Sequence, residues 1–184
     1  EINLQVFGEH NILNSIATAA ACIMLNIDPE TIKNGLYDFK GTHRRYEFKG
    51  NYNGAVLIDD YAHHPAEMQT TLQTAKTYSK GKIITVFQPH TYTRTKALLN
   101  DFAEALKLSD STILLDIYAA REKDTGLIHS KDLLNKMKEI SANGFYAENF
   151  EEAATMLKNL AHDGDTIITM GAGNVNKVLD YLTI

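Results

Sequence analysis

The sequence has a single cysteine, Cys22, among its 184 residues. One cysteine excludes an intramolecular disulfide, and its alanine and isoleucine neighbours predict that Cys22 packs as a small apolar side chain. Low cysteine use is typical of proteins in the reducing cytoplasm. The chain also lacks an apolar run near the ~20 residues that a membrane span needs, and no basic and apolar signal segment opens it. We therefore expect a cytoplasmic protein without a membrane partner.

An excess of basic side chains is missing as well. Lysine and arginine number 18 against 23 aspartate and glutamate residues, which gives a formal net charge of -5. We therefore expect no nucleic-acid partner. The hydrophobic share of 44% and the charged share of 22% are ordinary for one large globular domain or one and a half. Because the first residue is Glu1 rather than methionine, we expect a piece of a longer protein.

The first third of the chain predicts two helices and a hairpin. Residues 11 to 26 carry apolar side chains at helical spacing over a wide face, which predicts a largely buried helix. A capping Asp28 followed by Pro29 predicts a second helix that ends near residue 37. Two short extended runs flank Asn53 and Gly54, and this dipeptide is a strong hairpin signal.

Strands and helices alternate through the rest of the chain. Strands are predicted at residues 82–87, 112–117, 145–147 and 166–170, and helices at 65–78, 95–108, 130–140, 150–161 and from 175 onward. Because strands such as 83–87 are apolar on both faces, we expect an α/β fold with a doubly wound, mostly parallel sheet. It should be Rossmann-like, with an antiparallel hairpin strand at its start and helices on both faces. Ligands of such sheets bind outside the carboxyl ends of the strands.

The loop after the hairpin is rich in groups that carry chemistry. Asp59, Asp60, Tyr61, His63 and His64 follow a predicted strand and precede a proline that starts a helix. Imidazole can serve as a base, a metal ligand or a hydrogen-bond donor near pH 7, and a carboxylate at a strand end suits ribose hydroxyls or a cation. The alternative is that the carboxylates end the strand and cap the helix while both histidines lie on the surface.

A second loop, at residues 88–95, carries His90, Tyr92 and Arg94. The planar fork of arginine can hold a carboxylate or a phosphate with two hydrogen bonds. The helix that follows offers a positive N-terminus, which also favours an anionic ligand. A capping threonine with a solvated arginine is the alternative.

Two later loops carry weaker signals. Residues 118–124 are charged enough to be plain solvated surface. Gly171 and Gly173 follow the last predicted strand, and glycines at such a place allow backbone amides to approach an anion. However, a glycine motif for a dinucleotide is longer and follows the first strand.

Polar pairs also precede the first of these loops. Asn11 and Asn14 lie three residues apart at the start of the first predicted helix, and their amides could read a purine edge or cap the helix. Arg44 and Arg45 precede the hairpin, where phosphate contact and surface charge are equally consistent with the pattern.

Taken together and in this order, the motifs resemble those of the Mur ligase family. The resemblance rests on residues 10–14, 44–47, 59–65, 87–95 and 170–173, and so covers almost the whole chain. It implies three domains: one for a UDP group, a central ATPase and a C-terminal doubly wound domain. Residues 1–40 would be the last helices of the central domain and residues 41–184 the C-terminal ligase domain. No Gly-x-x-x-x-Gly-Lys-Ser/Thr loop occurs in the sequence, so this piece alone should be inactive.

The motifs match best the members that join L-alanine to UDP-N-acetylmuramate in peptidoglycan synthesis. In the implied reaction, ATP phosphorylates the muramate carboxylate and the amino group of L-alanine attacks the acyl phosphate. A related member attaches a whole tripeptide to the same muramate, but its second loop lacks the His-x-Tyr-Thr-Arg-Thr pattern of this sequence. A stand-alone domain that binds an amino acid or a nucleotide without chemistry is the other alternative.

The resemblance assigns the nucleotide to four residues. Asn11 and Asn14 would face adenine, Arg45 a nucleotide phosphate and Asp60 the ribose. The central domain would be the partner of this chain and would hold most ligands of Mg, so no metal ligand is expected within this chain.

The remaining roles fall on the two histidine loops. His63 would be catalytic near the reacting phosphates, while His90 and Arg94 would hold the carboxylate of L-alanine. Thr91 stands where many members have arginine, which leaves the share of Arg94 in carboxylate binding open. Further candidates from the same motifs are His10, Tyr61, His64, Tyr92, Gly171 and Gly173.

Overall fold

A six-stranded mixed sheet forms the centre of the protein. The computed structural model describes residues 1–182, and the strands lie in the order β1-β2-β6-β3-β4-β5. Their bounds are β1 (Glu47–Tyr52), β2 (Ala55–Asp60), β3 (Ile83–Phe87), β4 (Ser111–Leu114), β5 (Gly144–Tyr146) and β6 (Thr166–Met170). Only β1 pairs antiparallel among these six strands. The predicted doubly wound, Rossmann-like sheet with an antiparallel first strand is therefore confirmed.

The hairpin between β1 and β2 has the predicted turn. Asn53 and Gly54 have φ values of 47° and 83°, which is the left-handed backbone that a two-residue hairpin loop requires. Gly54 also packs against the segment before β6, because a Cβ at this position would collide with the carboxylate of Asp163. The turn therefore depends on glycine both for its backbone conformation and for space.

Helices cover both faces of the sheet. One face is covered by α3 (Pro65–Tyr78), α5 (Leu99–Leu106) and α6 (Ser130–Glu139), and the other by α7 (Phe150–Leu160) and a final 3-10 helix (Val175–Tyr181). The chain changes face at α7, which carries it from β5 at the edge back to β6 between β2 and β3. No helix within residues 1–182 is long and apolar enough to cross a membrane.

Three predicted elements differ in detail. The helix expected at 95–108 begins earlier and is broken at Leu98 into α4 (Tyr92–Ala97) and α5. No glycine or proline marks this break, so the local sequence contains no signal for it. The strand expected at 112–117 ends as β4 at Leu114, although the chain stays beside β3 and forms an isolated bridge between His90 and Tyr118. The last helix is a 3-10 helix rather than an α-helix.

The first two helices, α1 (Glu9–Met24) and α2 (Pro29–Asp38), pack against each other beside the sheet domain. Asp28 caps α2 as predicted, since its carboxylate accepts a hydrogen bond of 2.8 Å from the Thr31 N–H. The prediction that the first helix is largely buried is wrong, because α1, described over its whole length, has no buried side chain. Ile16 and Met24, for example, are 60% and 83% exposed. A wide apolar face indicates that a helix surface can be buried, but it does not show which other surface covers it.

Replacing Gly54 with alanine should destabilise the protein by about 1–3 kcal/mol, because the left-handed backbone and the collision with Asp163 both oppose a side chain. Gly35 in α2 is the matched control, since it has nothing within 4 Å of a built Cβ. There, alanine should stabilise the helix by roughly 0.5–1 kcal/mol. Thermal unfolding followed by circular dichroism tests both changes, and equal midpoints for the two variants would contradict the assignment.

Candidate functional site

A buried ion pair fixes the geometry of the sheet edge that carries the predicted loops. The Nε atom of Arg44 donates to Asp59 at 2.8 Å, and its two Nη atoms donate to the carbonyl oxygens of Gly173 at 2.8 Å and Gly171 at 2.7 Å. Asp59 is 1% exposed, and its second oxygen accepts from the Thr169 hydroxyl at 2.7 Å. Arg44 is thus neither a phosphate contact nor a surface charge, the two interpretations that the sequence left open.

The neighbouring Asp60 is also held by the protein itself. One carboxylate oxygen accepts from the Ala62 N–H at 2.8 Å, and the other accepts from the Tyr46 N–H and the Thr71 hydroxyl, both at 3.0 Å. Burial raises the pKa of Asp60, while these donors and the charge of Arg45 oppose that rise. A carboxylate offers about four acceptor positions, so about one position remains for a ligand.

An open groove of about 1370 Å³ lies between the α1–α2 pair and the sheet domain. One wall carries Asn11 and Asn14 from the first turns of α1, and the opposite wall carries Arg45 and Asp60. The Asn11 amide donates to the carbonyl of Phe7 at 2.7 Å, whereas Asn14 is exposed. The residues predicted for the nucleotide therefore line one groove. His10 and Cys22 line it too, so Cys22 lies at a surface rather than in a core.

The two halves of the groove are joined by an aromatic contact. The ring of Phe7 lies 4.8 Å from the ring of Tyr78 in α3 and 6.1 Å from that of Tyr46 before β1. The ring of Tyr61 lies 5.9 Å from the guanidinium of Arg45 and 5.1 Å from the guanidinium of Arg44. Tyr61 thus contacts both arginines close to the carboxyl ends of the strands.

The loops after β2, β3 and β4 meet at the carboxyl ends of the strands, a place called the crevice below. The rings of His63 and His90 have centroids 5.6 Å apart, and His90 stacks on Tyr118 at 5.7 Å. His63 Nδ1 lies 3.0 Å from the carbonyl oxygen of Tyr61 and 3.4 Å from a Glu67 oxygen. Both neighbours accept hydrogen bonds, so a proton on Nδ1 satisfies this arrangement.

The adjacent His64 has a different task. Its Nδ1 accepts from the Ala66 N–H at 3.3 Å, and Glu67 accepts from the His64 N–H at 3.3 Å, so the two side chains form a capping box for α3. Of the two adjacent histidines, His63 therefore faces the crevice, whereas His64 stabilises the helix.

Three buried polar atoms of the second loop have no hydrogen-bond partner within the described chain. They are Gln88 Oε1, His90 Nδ1 and Arg94 Nη1. An unpaired buried polar group costs about 1–3 kcal/mol, so such a cluster is expected where a ligand supplies the partner. Burial lowers the pKa of His90, and the charges of His63 and Arg94 lower it further while Glu122 opposes them. The crevice thus presents a neutral imidazole and an arginine.

The glycine loop after β6 packs against the same residues. A Cβ on Gly171 would lie 2.7 Å from the carbonyl oxygen of Gln88, and one on Gly173 would collide with the Gln88 amide and lie 3.0 Å from the Tyr118 ring. The Gly171 N–H donates to the carbonyl of Asp60 at 3.1 Å. These glycines allow close packing of the loop, and the amide of Gly171 is already bonded within the protein.

The charged third loop is attached to the second loop rather than freely solvated. Glu122 accepts a 2.9 Å hydrogen bond from the Thr93 N–H and another from the Thr93 hydroxyl. The first turn of α4, expected to attract an anionic ligand, thus binds a carboxylate of the protein itself. Burial raises the pKa of Tyr92, and Asp124 and Asp116 raise it further, so its phenol lies beside this acidic loop.

Sequence reasoning did not predict Gln88, Tyr118 or Glu122 as parts of the site, although all three lie in predicted strand-end loops. Their position after a strand was the available signal, but the side chains alone did not distinguish them from solvated loop residues. Within residues 1–182, no group of three His, Cys, Asp or Glu side chains is arranged to hold a metal ion.

Comparisons with known proteins point to one family. The family model described as "Mur ligase, glutamate ligase domain" matches residues 44–173. A UDP-N-acetylmuramate–L-alanine ligase of Caldanaerobacter subterraneus subsp. tengcongensis is 48% identical over 175 residues, which is 95% of this chain and 38% of that protein. The corresponding ligase of Acetivibrio thermocellus is 51% identical over 177 residues, with 96% of this chain and 38% of that protein covered.

Solved structures agree in fold. The UDP-N-acetylmuramate-alanine ligase of Thermotoga maritima superposes with a TM-score of 0.82 at 27% identity, covering 99% of this chain and 39% of that one. A murein peptide ligase of Psychrobacter arcticus gives a TM-score of 0.69 at 23% identity, covering 99% and 38%. The chain therefore spans somewhat over a third of the length of the curated relatives it matches.

Replacing Arg44 with methionine should destabilise the protein by about 3–5 kcal/mol, because the buried Asp59 charge loses its partner. The matched control is Arg45→Met, which changes an exposed arginine beside it and should cost less than about 0.5 kcal/mol. Urea unfolding measures both, and equal midpoints would show that the Arg44 ion pair does not hold the sheet edge together.

His90 should titrate below its ordinary value of 6.5 in the folded protein, because burial and positive neighbours disfavour the imidazolium. The unfolded chain then binds this proton more readily. Lowering the pH from 6.5 through the depressed folded pKa therefore destabilises the native state, and His90→Gln should remove that part of the pH dependence. Histidine NMR titrations provide the measurement, and a His90 midpoint at or above 6.5 would refute the expected direction.

Proposed function

The chain belongs to the Mur ligase family, and on that basis we propose that it is the amino-acid-admitting C-terminal part of an ATP-dependent ligase. The ligase would join L-alanine to UDP-N-acetylmuramate, as the names of the relatives at 48% and 51% identity suggest. Residues 1–40 would be the last helices of a central ATPase domain, and residues 41–184 the C-terminal ligase domain. The proposal also assigns the protein to the cytoplasm, in keeping with the single cysteine.

The observation that carries the proposal is the cluster of unpaired buried atoms in the second loop. His90 Nδ1 and Arg94 Nη1 lack partners within the described chain, in a crevice where three strand-end loops meet. The carboxylate of L-alanine supplies acceptors of the right charge for the arginine, and a neutral imidazole adds a hydrogen bond without a second charge. The energetic cost of leaving these atoms unpaired is thereby offset when the amino acid binds.

The groove would hold the nucleotide. Asn11 and Asn14 lie on the α1 wall, where their amides can pair with both donor and acceptor atoms of adenine. Arg45 on the opposite wall would contact a phosphate, and the remaining acceptor position of Asp60 would take a ribose hydroxyl. At about 1370 Å³ the groove is larger than a usual small-ligand pocket of about 300–1,000 Å³, as expected when its two walls can close over the nucleotide.

The reaction would proceed through an acyl phosphate. ATP transfers its γ-phosphoryl group to the muramate carboxylate and leaves as ADP; the amino group of L-alanine then attacks the acyl carbon, and phosphate leaves as the amide forms. The ring of His63 lies 5.4 Å from that of Tyr61 and 5.6 Å from that of His90, and the proposal assigns it a role near the reacting phosphates. The proposal assigns Mg to the central domain upstream of this chain, and within residues 1–182 no group of three His, Cys, Asp or Glu side chains is arranged to hold a metal ion.

The central test joins this chain to its upstream sequence and measures ATP turnover that depends on both UDP-N-acetylmuramate and L-alanine. Turnover with the tripeptide but not with L-alanine would favour the recycling ligase. A binding module would be favoured if the complete upstream sequence contained no phosphate-binding loop and the joined protein bound its ligands tightly without turnover.

In that enzyme, Arg94→Ala should raise the KM for L-alanine about 10- to 150-fold and leave the KM for ATP within about threefold, since a charged hydrogen bond is worth about 1.5–3 kcal/mol. Lys96→Ala on the same short helix is the matched control and should change neither constant. Asn14→Ala should have the opposite selectivity and raise the KM for ATP. If Arg94→Ala affected both substrates equally, the assignment of the second loop to the amino acid would fail.

A further inference from the structure

The second and third loops form one connected unit at the carboxyl end of the sheet. Thr91 N–H donates to the carbonyl of Tyr118 at 2.9 Å, and Tyr118 N–H donates to the carbonyl of Pro89 at 2.8 Å. These two hydrogen bonds continue the β3–β4 pairing beyond the strands. The backbone of the third loop is therefore held in register with the loop that carries His90 and Arg94.

A single carboxylate extends this connection to the start of α4. Glu122 Oε2 accepts from the Thr93 N–H at 2.9 Å, and Oε1 accepts from the Thr93 hydroxyl. The Glu122 N–H donates to the carbonyl of Ala119 at 2.9 Å, across a turn in which Ala120 has a φ of 54°. Both oxygens of Glu122 thus bind one residue of α4, and a tight turn directs the side chain toward that residue.

The electrostatics agree with an ionised carboxylate at this place. The hydroxyl and then the N–H of Thr93 lower the pKa of Glu122, and the Tyr92 N–H and the Thr91 hydroxyl lower it further. Thr91, which stands where many family members have arginine, supports the loop connection through its N–H, which donates to the carbonyl of Tyr118 at 2.9 Å.

The start of α4 needs such support. The helix has only six residues, and the first N–H groups of any helix lack partners within it. Thr91, just before the helix, has a φ of 68°, a conformation that costs free energy for a residue with a side chain. Arg94 follows Thr93 directly, so its position depends on how this first turn is held.

We propose that Glu122 is a positioning residue, which holds the first turn of α4 so that Arg94 and His90 present their unpaired atoms to the carboxylate of the incoming amino acid. The inference rests on the proposed function. Glu122 acts through Thr93 and does not touch the substrate, and it prevents the helix start from serving as an anion site itself.

The test compares Glu122→Ala and Glu122→Gln in the full-length enzyme with Glu104→Ala, which removes an exposed carboxylate from α5. Glu122→Ala should raise the KM for L-alanine at least about tenfold, keep the KM for ATP within about twofold and retain most of kcat at saturating L-alanine. Glu122→Gln should recover most of the affinity, because its amide oxygen still accepts from Thr93. Glu104→Ala should match the wild type.

Amide hydrogen exchange at Thr93 supplies a readout independent of turnover. In the full-length enzyme, the Thr93 amide should be protected in the wild type and Glu122→Gln and should lose protection in Glu122→Ala. Thr93→Val combined with Glu122→Ala should raise the KM for L-alanine by less than the product of the single effects, since both remove the same contact.

The two ideas fail in distinguishable ways. An active wild type whose L-alanine KM is unchanged by Glu122→Ala overturns the positioning role and leaves the proposed function intact. A wild type with no turnover on L-alanine overturns the proposed function. In that case the role of Glu122 in substrate binding falls as well, even where Thr93 protection is lost.

Discussion

The buried ion pair between Arg44 and Asp59 joins segments that lie far apart in the chain. Arg44 precedes the hairpin, Asp59 lies near the end of β2, and the carbonyls of Gly171 and Gly173 belong to the loop after β6. Because a buried charge without a partner is costly, these groups must stay together for the domain to remain folded. The groove and the crevice flank this contact, so their relative position depends on it.

Stability and function are divided between neighbouring residues along this edge. The side chains of Arg44 and Asp59 pair with each other, and the side chain of His64 caps the backbone of α3. All three therefore contribute to the stability of the fold. His90 and Arg94 instead carry buried atoms that have no hydrogen-bond partner within residues 1–182, which costs free energy.

The elements that could be predicted are those with a local physical signal. Asn53 and Gly54 fix the hairpin, Asp28 caps α2, and Pro65 opens α3, because backbone conformation at these places is limited by the residue itself. The break at Leu98 has no such signal. The exposure of α1 could not be predicted either, since an apolar face indicates that a surface can be buried without showing which surface covers it.

Local sequence patterns were enough to specify the sheet, its order of helices and strands, and the loops in which the candidate site residues lie, because periodicity and turn chemistry act over a few residues. The roles of adjacent residues with the same chemistry emerged only from the tertiary structure. Arg44 is buried in an ion pair while Arg45 faces the groove, and His63 faces the crevice while His64 caps a helix. The physical reason is that each role depends on partners distant in the chain or on the local direction of the backbone, and neither is visible in residue identity.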